Sequence, residues 1–208
     1  MKILRGDKMA ISKEMIVDAS LRILNRDGIE GLSMRTIAKE LNIKAASLYW
    51  HFNGKLDLYG AIAEYLCSLY EMPEESDNPK DYLFSSYGAY RAMLLSTRDS
   101  VPVLENSIPI TPCRIEIIRA ISKALLKMGV KEENLTTVSN LLNNYVLSFV
   151  ADECRFKNTP PDKMQEFRKM LSPQDRLFLS IPNDFDEQFS YGLRVLFAGL
   201  EVMRTANR

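Results

Sequence analysis

The residues whose types and spacing could do chemistry gather between Arg35 and Lys55. Lys44, Ala45, Ala46, Ser47, Tyr49, Trp50 and His51 follow one another with only Leu48 interrupting, and Lys55 comes four residues later. Cations, a hydroxyl, ring donors and two alanines make no nucleophile–base set, so the chemistry is recognition rather than bond-making. Arg35, Lys44 and Lys55 can neutralise phosphates, and Ser47 can bond a base edge or a phosphate oxygen. Ala45 and Ala46 let a backbone approach the floor of the DNA major groove, where a methyl can meet that of thymine. Tyr49, Trp50 and His51 can donate to phosphate while their ring bodies pack. A lysine opening a helix adds its charge to an N-terminus that already favours an anion, and Lys55 holds that position.

Two short helices must position this set. Ser33 is a good N-cap, and Met34, Ile37, Ala38 and Leu41 follow at i, i+3, i+4 and i+7. Asn42 tolerates the left-handed backbone of a tight link. A second helix then turns Ile43, Leu48 and Phe52 inward and leaves the recognition set mostly outward. Two such helices on a tight link predict a helix-turn-helix on double-stranded DNA. The bland alternative, a helical hairpin with aromatic core residues, would have to end on an exposed Tyr-Trp-His run.

The flanking chain reads as all-α. A first helix is expected from about Ser12 to Asp27, stopped by Gly28, after an arm of residues 1–10. Asn53 is the expected cap of a fourth helix running to about Glu71 with Tyr59, Ile62, Ala63, Leu66 and Leu69 as its stripe. Further helices are expected at about 81–97, 113–128, 132–155, 164–171, through Ser180, and at 184–203. Three prolines confine 100–112 to short turns, and Pro160-Pro161 reads as loop. On the last helix Phe189, Leu193, Leu196, Leu200 and Met203 form one stripe, with Tyr191, Val195, Ala198 and Val202 beside it. Apolar surface on more than one face asks for more than one partner, here a second copy, since a helix-turn-helix commonly reads two half-sites through a two-fold axis.

The net charge of zero hides a gradient: residues 1–58 hold 10 Lys and Arg against 7 Asp and Glu, the rest 17 against 20. The basic side goes with the proposed DNA face. Three scattered cysteines and one histidine offer no metal spacing and read as free thiols. No apolar leader and no span-length apolar run is present, so a cytoplasmic protein without metal, cofactor or membrane partner is expected.

The run Ala46-Ser47-Leu48-Tyr49-Trp50-His51-Phe52-Asn53-Gly54-Lys55-Leu56-Asp57-Leu58-Tyr59, with the preceding Gly28–Arg35 link, closely resembles the recognition region of the tetracycline repressor (TetR) family. The resemblance implies a three-helix DNA-binding domain at 1–58 and an effector-binding, dimerising domain at 59–208. It also implies dimerisation through the last two long helices, about 132–155 and 184–203.

Ala92–Asp99 and Phe189–Leu193 resemble the tetracycline-binding branch of that family. By that resemblance a drug-contacting histidine is replaced by Tyr70, the magnesium-ligating histidine by Leu104, an asparagine by Ser86 and a glutamine by Ala120, while Tyr90 is kept. Leucine cannot ligate a hard cation, so chelated tetracycline is not the expected effector. An apolar small molecule is expected instead, among Tyr70, Tyr87, Tyr90, Met93, Leu104, Tyr145 and Phe149, with Ser86, Ser107 and Asn144 as polar points. The reading is a ligand-released repressor. Its rivals are a DNA-binding activator with a filled body and a helical enzyme or carrier.

Overall fold

The computed structural model describes residues 11–175 and 184–206. The expected arm at 1–10 and the helix through Ser180 fall outside the described residues. Among those described, ten α-helices occur and no strand: α1 Lys13–Asp27, α2 Met34–Glu40, α3 Ala45–Leu48, α4 Lys55–Ser68, α5 Pro79–Leu95, α6 Ser100–Glu105, α7 Pro112–Lys127, α8 Leu135–Asn158, α9 Pro161–Met170 and α10 Phe185–Ala206. They form two compact units. One comprises the chain to Leu69 together with Ser96–Ile115, the other Tyr70–Leu95 together with the chain from Glu116.

In the first unit each helix boundary has a visible cause. The Ser12 hydroxyl accepts the Met15 N–H and starts α1; Gly28, at φ 75°, ends it by donating to Leu24 O at 2.9 Å. Ile16, Ile23, Leu24, Ile37, Leu48, Phe52, Leu58, Ile62 and Leu66 are fully buried and form the core of this unit. The expected Asn53 cap of α4 is not made. Gly54 takes the N-cap position at φ 151°, and the Asp57 carboxylate reaches back to accept the Asn53 N–H at 3.1 Å. The helix ends at Ser68, and Leu69 is exposed rather than part of the stripe.

In the second unit Tyr145 Oη donates to Phe189 O at 2.8 Å and Phe156 faces Phe185, so α8 and α10 run antiparallel. Arg91 meets Asp186 at the start of α10 and Lys80 meets Glu201 near its end, which makes α5 antiparallel to α10 and parallel to α8. The inward row of α10 is Phe189, Leu193 and Phe197, so the expected stripe divides after Leu193. Its four-residue steps put Leu196 and Leu200 on the shoulder and Met203 in the open. Gly192 seats the Tyr145 ring, whose hydroxyl a Cβ would strike. Pro161 is not loop but the first residue of α9, where its missing N–H removes nothing.

One buried ionic cluster ties this unit together. Arg91 donates to both oxygens of the fully buried Glu153, at 2.8 and 2.9 Å, and to Asp186 at 2.7 Å. Lys157 adds a 2.6 Å contact to Glu153. The Arg91 guanidinium also lies over the Phe149 and Phe189 rings.

Candidate nucleic-acid interface and effector site

Ser33 and Thr36 close a reciprocal capping box at the start of α2: the Ser33 hydroxyl accepts the Thr36 N–H at 3.1 Å, and the Thr36 hydroxyl accepts the Ser33 N–H at 2.9 Å. At the other end Asn42 stands at φ 52°, its N–H on Lys39 O at 3.1 Å, while the Ile43 N–H reaches Ala38 O at 2.9 Å. Those two bonds are a Schellman closure with asparagine in the left-handed position, and they set the angle at which α3 leaves α2. The single-turn α3 is pinned from below by Leu48 and Phe52, both buried.

Above that anchor the recognition residues are open. Trp50 is 89% and Tyr49 57% exposed; Arg35, Lys44, Ala46 and Lys55 are exposed, and Ala45, Ser47 and His51 are half-exposed. A tryptophan left this open in a well-packed unit has no structural role to explain it. The cations divide by task. Arg22 and Arg26 are spent on Asp18, Asp27 and Glu40, tying α1 to α2. Arg35, Lys44 and Lys55 pair with no described carboxylate, and Lys55 Nζ rests 5.2 Å from the Tyr59 ring centre.

Sequence reasoning missed the anchor behind this face. The Asp99 carboxylate accepts the Ile29 N–H at 2.7 Å, and Arg98 donates to Arg26 O at 2.9 Å. Its backbone N–H also meets the Asn25 side chain at 3.1 Å. A Cβ at Gly28 would come within 2.8 Å of Asp99 Oδ2, so this approach needs the glycine. Glu64 caps the start of α7 by accepting the Cys113 N–H at 3.0 Å. Burial opposes ionisation of Glu64, and the bonds from Cys113 and its neighbours outweigh it, holding the carboxyl below its ordinary range.

The proposed effector residues fall into groups. Tyr70, Ser86, Tyr87, Tyr90 and Met93 are all buried in the second unit; Tyr70 Oη donates to Ser86 O at 3.3 Å. Leu104 and Ser107 are buried in the first unit, where Ser107 accepts from Arg114 at 2.7 Å. Tyr145 and Phe149 are half-buried in an aromatic cluster with Phe185 and Phe189. Asn144 lies on the exposed side of α8, and its neighbour Asn143 instead accepts from Tyr90 Oη at 3.1 Å. Ala120 lines a separate cleft of about 390 Å³ with Tyr82, Arg119 and Lys123. Among the described residues no group of three or more His, Cys, Asp or Glu could hold a metal ion.

Residues 16–62 match the model of the bacterial regulatory proteins of the tetR family, and residues 73–204 match that of the tetracyclin repressor-like C-terminal domain. The chain belongs to the TetR family. The class C tetracycline repressor protein of Escherichia coli is 25% identical over 202 residues, covering 93% of this chain and 92% of that one. Mycobacterium smegmatis BioQ, 27% identical, superposes with a TM-score of 0.71 over 92% of this chain and 99% of its own. Streptomyces coelicolor ActR, solved with actinorhodin, shares the fold at a TM-score of 0.80 and 24% identity, over 94% and 99% of the two chains. As a TetR-family protein the chain is a ligand-responsive, DNA-binding transcriptional repressor, and its helix-turn-helix is the reading head of that function.

Proposed function

We propose that the protein is a homodimeric cytoplasmic repressor, not an enzyme, with a DNA-binding domain at 1–58 and an effector-binding, dimerising domain at 59–208. It holds its operator through Arg35, Lys44 and Lys55 on phosphates, and Ala45, Ala46, Ser47, Tyr49, Trp50 and His51 in or beside the groove. The observation that carries this reading is the exposure of Tyr49 and Trp50 directly above the buried Leu48 and Phe52, on a link closed by Asn42. A BioQ structure has been solved with its double-stranded DNA operator, which fits the same use of this head.

The effector is a neutral, largely apolar small molecule taken up in the second unit among Tyr70, Ser86, Tyr87, Tyr90 and Met93, with Tyr145 and Phe149 as further contacts. No metal or cofactor takes part. The ligand acts by favouring one of two states of the chain, which requires different affinity for each. The covalent route runs from α5 through Ser96 to Arg98 and Asp99, whose grip on the end of α1 fixes the head. The exposed Tyr191, Val195 and Val202 of α10, with Leu141 of α8, supply the dimer face.

Electrophoretic mobility shift on the DNA flanking the protein's own gene, repeated with a compound library, tests this reading. A shifted band abolished by an uncharged compound is expected. Tetracycline with magnesium should leave the band in place, and Met93→Ala should change ligand preference without altering operator affinity of the free protein. Absence of a specific shift on that DNA would overturn the proposal.

A further inference from the structure

At the end of the second unit opposite the Arg91–Glu153 cluster, a cavity of about 520 Å³ opens between three segments. The turn after α7, the first two turns of α8 and the last two of α10 form it. Its size is that of a small-molecule site.

Val130, Val138, Leu141, Leu200 and Met203 give it an aliphatic and thioether wall without an aromatic ring, which suits a flexible chain rather than a flat one. Lys127, Lys131 and Arg204 add three exposed cations, and no carboxylate lines it. Among the described residues none of the three is in an ion pair. Glu201, on the same helix as Arg204, is taken by Lys80 at 2.9 Å. Lys127 also edges the neighbouring cleft of Glu75 and Asp77, and it pairs with neither.

A cation at a helix C-terminus is ordinary, and Lys127 and Arg204 both hold such positions. Lys131 does not, and the dipole gives no reason for all three to border one apolar hollow. The turn is what gathers them. Gly129, at φ 96°, closes α7 with its N–H on Leu126 O at 2.9 Å, and the Val130 N–H returns to Leu125 O at 3.0 Å. The Arg204 stem lies against that glycine, where a Cβ would come within 2.6 Å of its Cδ. One residue thus makes the turn that presents Lys131 and seats Arg204.

Charge and apolar wall are also sorted along the helices. Lys131 precedes α8, and Arg204 stands one turn beyond Leu200 on the antiparallel α10. From that end Val138 and Leu141 continue along α8, which rises about 10 Å between Asn134 and Leu141. That length matches a medium aliphatic chain. Of the strip assigned above to the dimer, only Leu141 borders the cavity.

We infer that this cavity is a second small-molecule site, which takes an amphiphilic anion. A carboxylate or phosphate head pairs with Lys127, Lys131 and Arg204, whose guanidinium can grip either with two parallel bonds. The aliphatic chain covers Val138, Leu141 and Leu200. The site is separate from Tyr70, Tyr87 and Tyr90, and it does not depend on what binds there.

Titration calorimetry on the full chain at physiological salt tests this with decanoate, decyl phosphate, decylammonium and hexanoate. At least one of the two decyl anions should bind at least tenfold tighter than decylammonium, and the tighter of them names the head group. Hexanoate should bind at least about tenfold more weakly than decanoate, since it leaves methylenes of the wall uncovered. Lys131→Gln and Arg204→Gln change exposed side chains, so both should melt as the wild type does. Each should weaken the preferred anion about 3- to 10-fold, and the double variant should bind it no better than decylammonium. Met93→Ala, in the aromatic part, should leave anion binding as it was. No binding of either decyl anion by the wild type, as when a second copy fills the cavity, would overturn the inference. So would equal binding of decylammonium, anion binding undiminished in the double variant, or anion binding lost in Met93→Ala instead.

Discussion

At the scale of single residues, the recognition face divides into groups that set affinity and groups that set preference. Lys55→Ala removes a phosphate contact, so affinity should fall for every duplex and the salt slope should drop by about one contact's worth. Fluorescence anisotropy across a salt series reads both quantities; an unchanged slope would remove Lys55 from the interface. Substitutions at Ala46 or Ser47 should change which operator is preferred. Asn42, at φ 52°, makes a different kind of prediction. Asn42→Gly should be nearly neutral, whereas Asn42→Val should cost about 1–2 kcal/mol of stability in chemical unfolding, because a β-branched residue resists the left-handed region. Ser33, Gly28 and Asn42 were legible in the sequence because caps and left-handed positions are local chemistry. The bond of Asn143 to Tyr90 was not: it depends on which face of α8 turns inward, and neighbouring residues on a helix differ by a rotation of about 100°.

At the scale of elements, helix existence followed from apolar period, but contacts between distant segments did not. The Asp99–Ile29 bond joins residues 70 apart, and no local pattern announces it. Phe197 was missed because Leu196 and Leu200 offered an equally regular stripe, and only packing against Tyr87 decides which row turns inward. Proline at 161 read as loop because its helix-breaking and helix-starting roles look alike until the helix is seen. The Arg91–Glu153–Lys157 cluster should dominate the acid response of the second unit. Burial of Glu153 disfavours its charge, yet the Arg91 and Lys157 hydrogen bonds hold its carboxyl below the ordinary value. A depressed carboxylate contributes stability above its unfolded pKa and loses it as pH falls toward the folded one. Wild-type stability should therefore decline as pH drops below about 5, the onset of carboxylate protonation in the unfolded chain. Glu153→Gln should be about 3 kcal/mol less stable at pH 7 and less sensitive to acid. Urea unfolding between pH 7 and 3 measures both, and parallel curves for the two proteins would show that the cluster does not control acid stability.

At the scale of the whole molecule, the account is that of a two-fold reader. Tyr191, Val195 and Val202 leave an apolar strip on α10 that one chain does not cover, and Gly199 on that helix has open space beside it. The wild type should scatter light as a dimer at micromolar concentration. Val195→Glu should shift it to monomer with helix content retained, and operator affinity should fall with it, because two heads about 34–36 Å apart must bind together. A wild-type monomer would count against the whole reading.

The central claim is that the exposed set on and around α3 reads one DNA sequence, and a competition isotherm addresses it most directly. The protein is titrated onto a labelled duplex from the DNA flanking its own gene, then onto a scrambled duplex of equal length and composition, at one physiological salt concentration. The account predicts a preference of about a thousandfold or more for the flanking duplex. Ser47→Ala or Trp50→Ala should erode that preference while the scrambled duplex is bound about as before. Equal affinity for the two duplexes, or an undiminished preference in both variants, would contradict it.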